Sequence, residues 1–347
     1  MKRNDLFAAL LAALMALTAL VAPAAGAASP PLCDAYDGMP PGFAAAQDGK
    51  PNRAGLVAIA GGRFRMGSND GYPEERMVHA VRVGAFWIDR HEVTNAQFAR
   101  FVQATGHVTR AERAPQAADF PGVAPERLVP GSAVFVPPRK GEHLRGAYAW
   151  WQWMPGADWR HPAGPDSDLR GRGNHPVVHV AYEDAQAYAA WLGRELPTEA
   201  QWEYAARGGL DGATYAWGNT PETPARPMAN TWQGRFPFTD QGTDGRKGSA
   251  PVGCYPANGY GLLDVVGNTW EWTRDAYQGP HGAQAVENPM AVSLGTASTE
   301  IARVIKGGSF LCAPDFCVRY RPSSRQPQDT GLGAVHVGFR TVLNAPN

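Results

Sequence analysis

Leu196-Pro197-Thr198-Glu199-Ala200-Gln201-Trp202-Glu203-Tyr204-Ala205-Ala206-Arg207-Gly208 reads as a short helix with both of its ends written in. Thr198 and Gln201, three residues apart, form a capping box, in which each side chain satisfies a free backbone N–H of the other residue. The run continues through Trp202, Tyr204 and Ala205, and Gly208 stops it. Upstream, Thr94-Asn95-Ala96-Gln97 opens a second helix in the same way, carried by Phe98, Phe101 and Val102 to Gly106. A third is predicted from about Tyr182 to Leu192, with Ala185, Tyr188, Ala189 and Leu192 as its buried stripe and Gly193 as its stop. Elsewhere helical periodicity is modest.

Around these helices the signals are for short strands and turns. Val57, Ile59, Phe64 and Met66 flank Gly61-Gly62 and predict a hairpin or bulged strand, and Val78, Val81, Val83, Phe86 and Ile88 predict another strand pair. Gly106 to Gly173 is polar, rich in proline, and holds Trp150, Trp151, Trp153 and Trp159. It is expected to be loop with little regular structure, of the kind that often forms a binding surface. The chain has 40 glycines, 30 prolines and 11 tryptophans, which suits an irregular molecule held by aromatic packing. Acidic and basic residues balance at 32 each with no basic run, which argues against nucleic acid or an anionic membrane as partner.

At the N-terminus Lys2 and Arg3 precede an uncharged run from Leu6 to about Ala22, then the small residues Ala25-Gly26-Ala27. This predicts a signal peptide over 1–28. The run is shorter than the roughly 20 apolar residues that span a bilayer, and Pro30-Pro31-Leu32-Cys33 is a poor lipid-attachment signal. The expected product is an exported protein, periplasmic or secreted, with no stable membrane anchor. Residues 29–54 read as an N-terminal arm or linker. The mature chain suits one large domain or two small ones. Its four cysteines, Cys33, Cys254, Cys312 and Cys317, allow three pairings, and export makes disulfides possible.

Cys312 and Cys317 lie in Gly307-Gly308-Ser309-Phe310-Leu311-Cys312-Ala313-Pro314-Asp315-Phe316-Cys317-Val318-Arg319-Tyr320-Arg321. Five helical residues rotate by roughly 500°, so a helix would turn the two thiols apart. Pro314 also forbids one. A loop can bring both sulfurs together. On spacing alone a short-loop disulfide is the simpler reading. As ligands, two thiolates with no further donor suit Cu(I), whereas structural zinc takes four ligands. His175 and His179 are four apart, but Pro176 and Val177-Val178 argue for a structural strand there.

Several segments then line up in order: Gly61-Gly62-Arg63-Phe64-Arg65-Met66-Gly67-Ser68, Glu92-Val93-Thr94-Asn95-Ala96-Gln97-Phe98, Leu196 to Gly208, Asn258-Gly259-Tyr260-Gly261-Leu262, Gly267-Asn268-Thr269-Trp270-Glu271-Trp272, Lys306-Gly307-Gly308-Ser309-Phe310 and Gly338-Phe339-Arg340. Together they resemble the formylglycine-generating enzyme family, or sulfatase-modifying factors, from about Leu56 to Leu343. The resemblance implies an α+β fold: one irregular, loop-rich domain over 55–345, C-type lectin-like, with little regular secondary structure.

Such a fold also serves non-catalytic proteins, iron-dependent sulfoxide synthases of ergothioneine biosynthesis, and siderophore-maturation proteins, so it does not fix function. The iron enzymes take a histidine triad from an N-terminal helical domain that this chain lacks. Cys312 and Cys317 occupy both places of the family's cysteine pair. The resemblance therefore implies that they bind Cu(I), with Ser309 and Trp270 lining an oxygen pocket. The implied substrate is an unfolded sulfatase, whose cysteine in a Cys-x-Pro-x-Arg segment becomes formylglycine at the expense of O2 and a thiol reductant.

It further implies one Ca2+ at Asn230, Thr231, Asp244 and Arg246, a second at Asp264, Gly267, Thr269 and Glu271, and substrate contacts from Arg325 and from His336, where Asn often stands in the family. Pro322 and Thr341 occupy the places of family cysteines, which leaves Cys33 and Cys254 either paired or free. The alternative function is a non-catalytic maturation or binding protein.

Overall fold

The three helices form where the sequence predicts, two of them opened by the expected capping boxes. In α1 (Asn95–Thr105) the Thr94 hydroxyl accepts from Gln97 N, the Gln97 side chain accepts from Thr94 N, and Gly106 closes the helix at φ 68°. In α3 (Glu199–Arg207) Thr198 and Gln201 do the same, with Gly208 at φ 55°. α2 (Tyr182–Trp191) buries Ala185, Tyr188 and Ala189. The computed structural model describes residues 32–117, 122–139, 146, 148–223, 225–281 and 302–345. The expected signal peptide lies outside them, and no helix of the described residues is long and apolar enough to cross a membrane.

The strands are short and pair at long range, which makes the class α+β with loops dominant. β1 (Leu56–Ile59) and β4 (Phe86–Asp89) run antiparallel, and β11 (Val342–Asn344) adds to the other edge of β4. β2 (Gly62–Met66) pairs with β3 (His79–Val83). β5 (Gly131–Phe135) pairs with β6 (Trp151–Pro155). The largest sheet has the order β10 (Val337–Gly338), β7 (Trp270–Ala276), β8 (Arg303–Lys306), β9 (Arg325–Gln328), with β10 parallel to β7.

Two expectations change. β1 and β2 form no hairpin, nor do β3 and β4; each pair splits between two sheets. The crossings touch at Gly61, where a Cβ would lie 2.8 Å from Val83 O and Ala85 N, so only glycine fits. The stretch expected to be loop also contains a regular hairpin, β5–β6, that carries Trp151 and Trp153.

The core is aromatic. Phe98 of α1 packs on Phe101, Trp159, Tyr188 and Phe339. Residues 32–54 lie against this core: Phe43 is buried beside Tyr188, Gly38 O accepts from the Thr94 hydroxyl, and Cys33 is disulfide-bonded to Cys254. His179, at φ 60°, spends both ring nitrogens on Ser132 and Pro162 O, so it is structural.

Two predictions follow from burial and cross-linking. Burial pushes the imidazoles of His91 and His179 down to about 4 and that of His336 to about 3. Unfolded, the same groups take up protons near pH 6.5. Between these values the unfolded chain holds more protons, so their contribution is complete above pH 6.5 and is lost as pH falls toward 4. Each group costs up to about 1.4 kcal/mol per pH unit in that window; thermal melts should drop between pH 7 and pH 5, and an unchanged midpoint would contradict burial of neutral rings. The Cys33–Cys254 bond spans 221 residues, and Cys33→Ser should cost roughly 2–5 kcal/mol in denaturant melts.

Candidate active site

Gly307 and Gly308 turn the chain out of β8 in left-handed conformation, at φ 96° and 75°. A Cβ on Gly308 would sit 2.7 Å from Arg319 O. The glycines thus let the outgoing segment lie directly against the returning one. Between them Phe316 N and Cys317 N both donate to Ala313 O, closing a turn around Pro314. The result is convergence: Cys312 Sγ and Cys317 Sγ are 2.8 Å apart and neither is in a disulfide.

Cys312 is buried and Cys317 half-buried. Burial pushes the Cys312 thiol up, but the hydrogen bond from Cys317, the backbone at Ser309 and the positive charge of Arg319 outweigh it, and it lies below the ordinary thiol range. Its hydrogen bond and negative charge, with burial, hold Cys317 well above that range. The two sulfurs are hydrogen-bonded to each other, so charge on one bears on the other. Arg319 is itself fixed: it stacks over Tyr72 at 3.7 Å and donates to Glu74 at 2.8 Å, while Tyr72 Oη accepts from Val318 N.

Ser309 and His336 sit together beneath the pair. Cys312 N donates to Ser309 O, the Ser309 hydroxyl is 3.1 Å from His336 Nδ1 and also accepts from Leu311 N, and Trp151 packs on the imidazole at 4.6 Å. His336 Nε2 is buried without a hydrogen-bond partner. Trp270 is buried, and its backbone N–H donates to His336 O, which anchors the histidine to β7. The structure thus brings Ser309, His336, Cys312 and Cys317 into one constellation, with Trp270 holding it from behind.

Beside them lies an aromatic floor that sequence reasoning missed. Phe316, between the two cysteines and 46% exposed, stacks on Phe236 at 4.5 Å and meets Trp150 edge-on. Tyr148 extends this surface. Its signal was present in the tryptophan-rich segment, but the partner Phe236 comes from a distant loop.

Arg325 does not present a free cation to this cleft. It is buried, donates to both oxygens of Glu199 and to the carbonyls of Glu74 and Gly279, and lies over Tyr277. The arrangement has a simple cause: a desolvated guanidinium is retained only with its donors satisfied, and Glu199 of α3 is a partner that does so.

Around the first expected calcium position, Asn230 and Thr231 are buried, Thr231 donates its hydroxyl to Glu222, and Asp244 accepts from Tyr255 Oη and Arg246 N. The Arg246 side chain turns away to Asp34 and the Cys33 and Cys254 sulfurs, leaving only its backbone oxygen for an ion. These are oxygen donors of the type calcium takes.

At the second position Asp264 accepts from Gly253 N, and both oxygens of Glu271 accept from Arg340, one also from Trp202. Glu92, not foreseen as part of this set, is fully buried here. Thr269 donates to its Oε1, and its Oε2 has no partner. Burial and the neighbouring Asp264 and Glu271 charges hold Glu92 well above the usual carboxylate range, and burial pushes Asp264 up to about 7. Both Glu271 oxygens are taken by Arg340, which leaves Glu92 Oε2 as the buried acid oxygen here without a partner.

Comparison with known proteins settles the family. A model of the sulfatase-modifying factor enzyme 1-like domain matches residues 43–345. The chain belongs to that family. The formylglycine-generating enzyme of Mycobacterium tuberculosis is 53% identical over 83% of this chain and 97% of its own length. A Mus musculus relative, named inactive C-alpha-formylglycine-generating enzyme 2, is 39% identical over 84% of this chain and 86% of its own. The solved structure of PvdO from Pseudomonas aeruginosa shares the fold, with a TM-score of 0.53 at 24% identity, covering 88% of this chain and 99% of that one.

Ser309→Ala keeps the backbone contact to Cys312 but strands His336 Nδ1 and Leu311 N. Melting experiments should show a loss of about 1–3 kcal/mol, with the Cys312–Cys317 pair still able to form.

Proposed function

We propose that this chain oxidises a cysteine in a Cys-x-Pro-x-Arg segment of an unfolded sulfatase to formylglycine, as an oxidoreductase that uses Cu(I), O2 and a thiol reductant. The observation that carries this reading is the free, converging sulfur pair of Cys312 and Cys317. The name of the M. tuberculosis relative supports the reaction.

Two soft sulfurs meeting at one point fit a low-coordinate Cu(I), and Cys312 and Cys317 would hold it. When bound, copper supplies the one-electron chemistry that lets O2 react with a thiol. The protein residues do the remainder. Cys312 is fixed by Ser309 O and by burial, whereas Cys317 stands at the solvent edge, where a polypeptide thiol can approach. Phe316, exposed and backed by the buried Phe236 and Trp150, offers an apolar face for the residues that flank that thiol. His336, neutral at working pH, holds the Ser309 hydroxyl, and the Ser309 backbone oxygen receives Cys312 N. Arg319 balances negative charge on the sulfurs.

We infer Ca2+ at both oxygen-rich positions, with Glu92 joining Asp264, Gly267, Thr269 and Glu271 at the second. An exported location, periplasmic or secreted, is supported by the Cys33–Cys254 bond, since disulfides persist in oxidising compartments.

The second reading, a non-catalytic maturation or binding protein, draws on the likeness to a relative named inactive and on the exposed aromatic floor. The two readings part on one assay. Cu(I)-loaded protein incubated in air with a Cys-x-Pro-x-Arg peptide and a thiol should yield the formylglycine mass, and Cys317→Ser should abolish both tight copper binding and turnover. Copper binding without product would favour the second reading. Chelation of calcium should lower the melting temperature, and Glu92→Gln should blunt that drop.

A further inference from the structure

His79 and His281 meet outside the site described above. Their ring centres are 4.9 Å apart with planes at 67°. His79 is the exposed first residue of β3, and its Nδ1 is 2.9 Å from Met77 O. A carbonyl only accepts, so Nδ1 carries the proton and Nε2 presents a bare lone pair. This is how metal-binding histidines are usually held, with the second ring N–H on a backbone carbonyl that fixes tautomer and orientation.

His281 is half-buried, and burial pushes its imidazole down to about 4, so it is neutral. Its Nε2 is buried with no hydrogen-bond partner. An unpaired buried polar atom of this kind is destabilising, a cost that a ligand removes. Neighbouring charges do not quench it: Glu199 pairs with Arg325, and Glu203 with Lys306. With metal–imidazole bonds of about 2.0–2.1 Å, two rings on one ion keep their centres roughly 5–6 Å apart, close to the spacing seen.

We propose that His79 and His281 form a second metal site, built of two imidazoles and distinct from the thiol pair, that takes a borderline first-row ion, Cu2+ or Zn2+. Imidazole nitrogen suits both ions. Two protein ligands leave the remaining positions to water, and the exposed His79 edge gives entry from solvent, so the ion is exchangeable. The site stands independently of the reaction proposed above.

Calorimetric titration of Cu2+ and of Zn2+ into tag-free Cys312→Ser/Cys317→Ser protein tests it without the thiols. One equivalent should bind, with His79→Ala weakening it at least tenfold and His175→Ala leaving it unchanged. Electron paramagnetic resonance of the Cu2+ form should show two imidazole nitrogens in wild-type His79 protein and one in His79→Ala. His79 is exposed, so its variant should melt at the parent temperature. Absence of binding by either ion, or binding that His79→Ala leaves intact, would overturn the proposal.

Discussion

The rest of the structure depends on the buried pair of Arg340 and Glu271. Arg340 has no exposed surface, and its guanidinium reaches both oxygens of Glu271 and the carbonyls of Asp89, Leu263 and Asp264. Glu271 in turn accepts from the Trp202 indole of α3. One cation therefore ties β7, the end of β4, the approach to β11, helix α3 and the loop around 264 to a single point. In a domain with few regular hydrogen-bond ladders, such a point substitutes for extended sheets. Removing one partner would leave an uncompensated buried charge, which costs about 3–5 kcal/mol.

That anchor also sets the candidate site. Trp270 precedes Glu271 on β7, and its N–H holds His336 through the short parallel pairing of β10 with β7. His336 then meets Ser309, and Ser309 O receives Cys312 N. A second buried network acts from the other side. Lys306, at the end of β8, binds Glu199 and Glu203 of α3, so the strand that delivers Gly307 and Gly308 is fixed where it leaves the sheet. Between these two anchors the cysteine loop has little freedom.

The four cysteines separate into two chemistries by position. Cys33 and Cys254 are far apart in sequence and join a docked arm to the body, beside the Arg246 guanidinium. Cys312 and Cys317 are near in sequence and free, held together by the turn at Ala313 and the packing of Arg319 on Tyr72.

The helices were legible from residues alone, because a capping box is a local contract: Thr94 with Gln97, and Thr198 with Gln201, need nothing beyond four residues of backbone. The loop character of 312–317 was equally local, since Pro314 excludes a helix. The ordered sequence motifs carried the fold class. Sheet partners were not legible. Val57 and Val81 alternate as strand residues should, but β1 chose β4 while β2 chose β3, with the chain crossing between the two sheets at Gly61. Arg325 and Glu92 escaped for the same reason. Whether an arginine faces a substrate or a buried glutamate, and whether a glutamate oxygen lacks a donor, are properties of neighbours more than a hundred residues away. What the sequence by itself determined was therefore every feature whose energetics closes within a turn of chain. Only the tertiary structure decided which strands paired, which charges were desolvated and what stands around the two sulfurs, because those depend on long-range packing that local backbone preference does not encode.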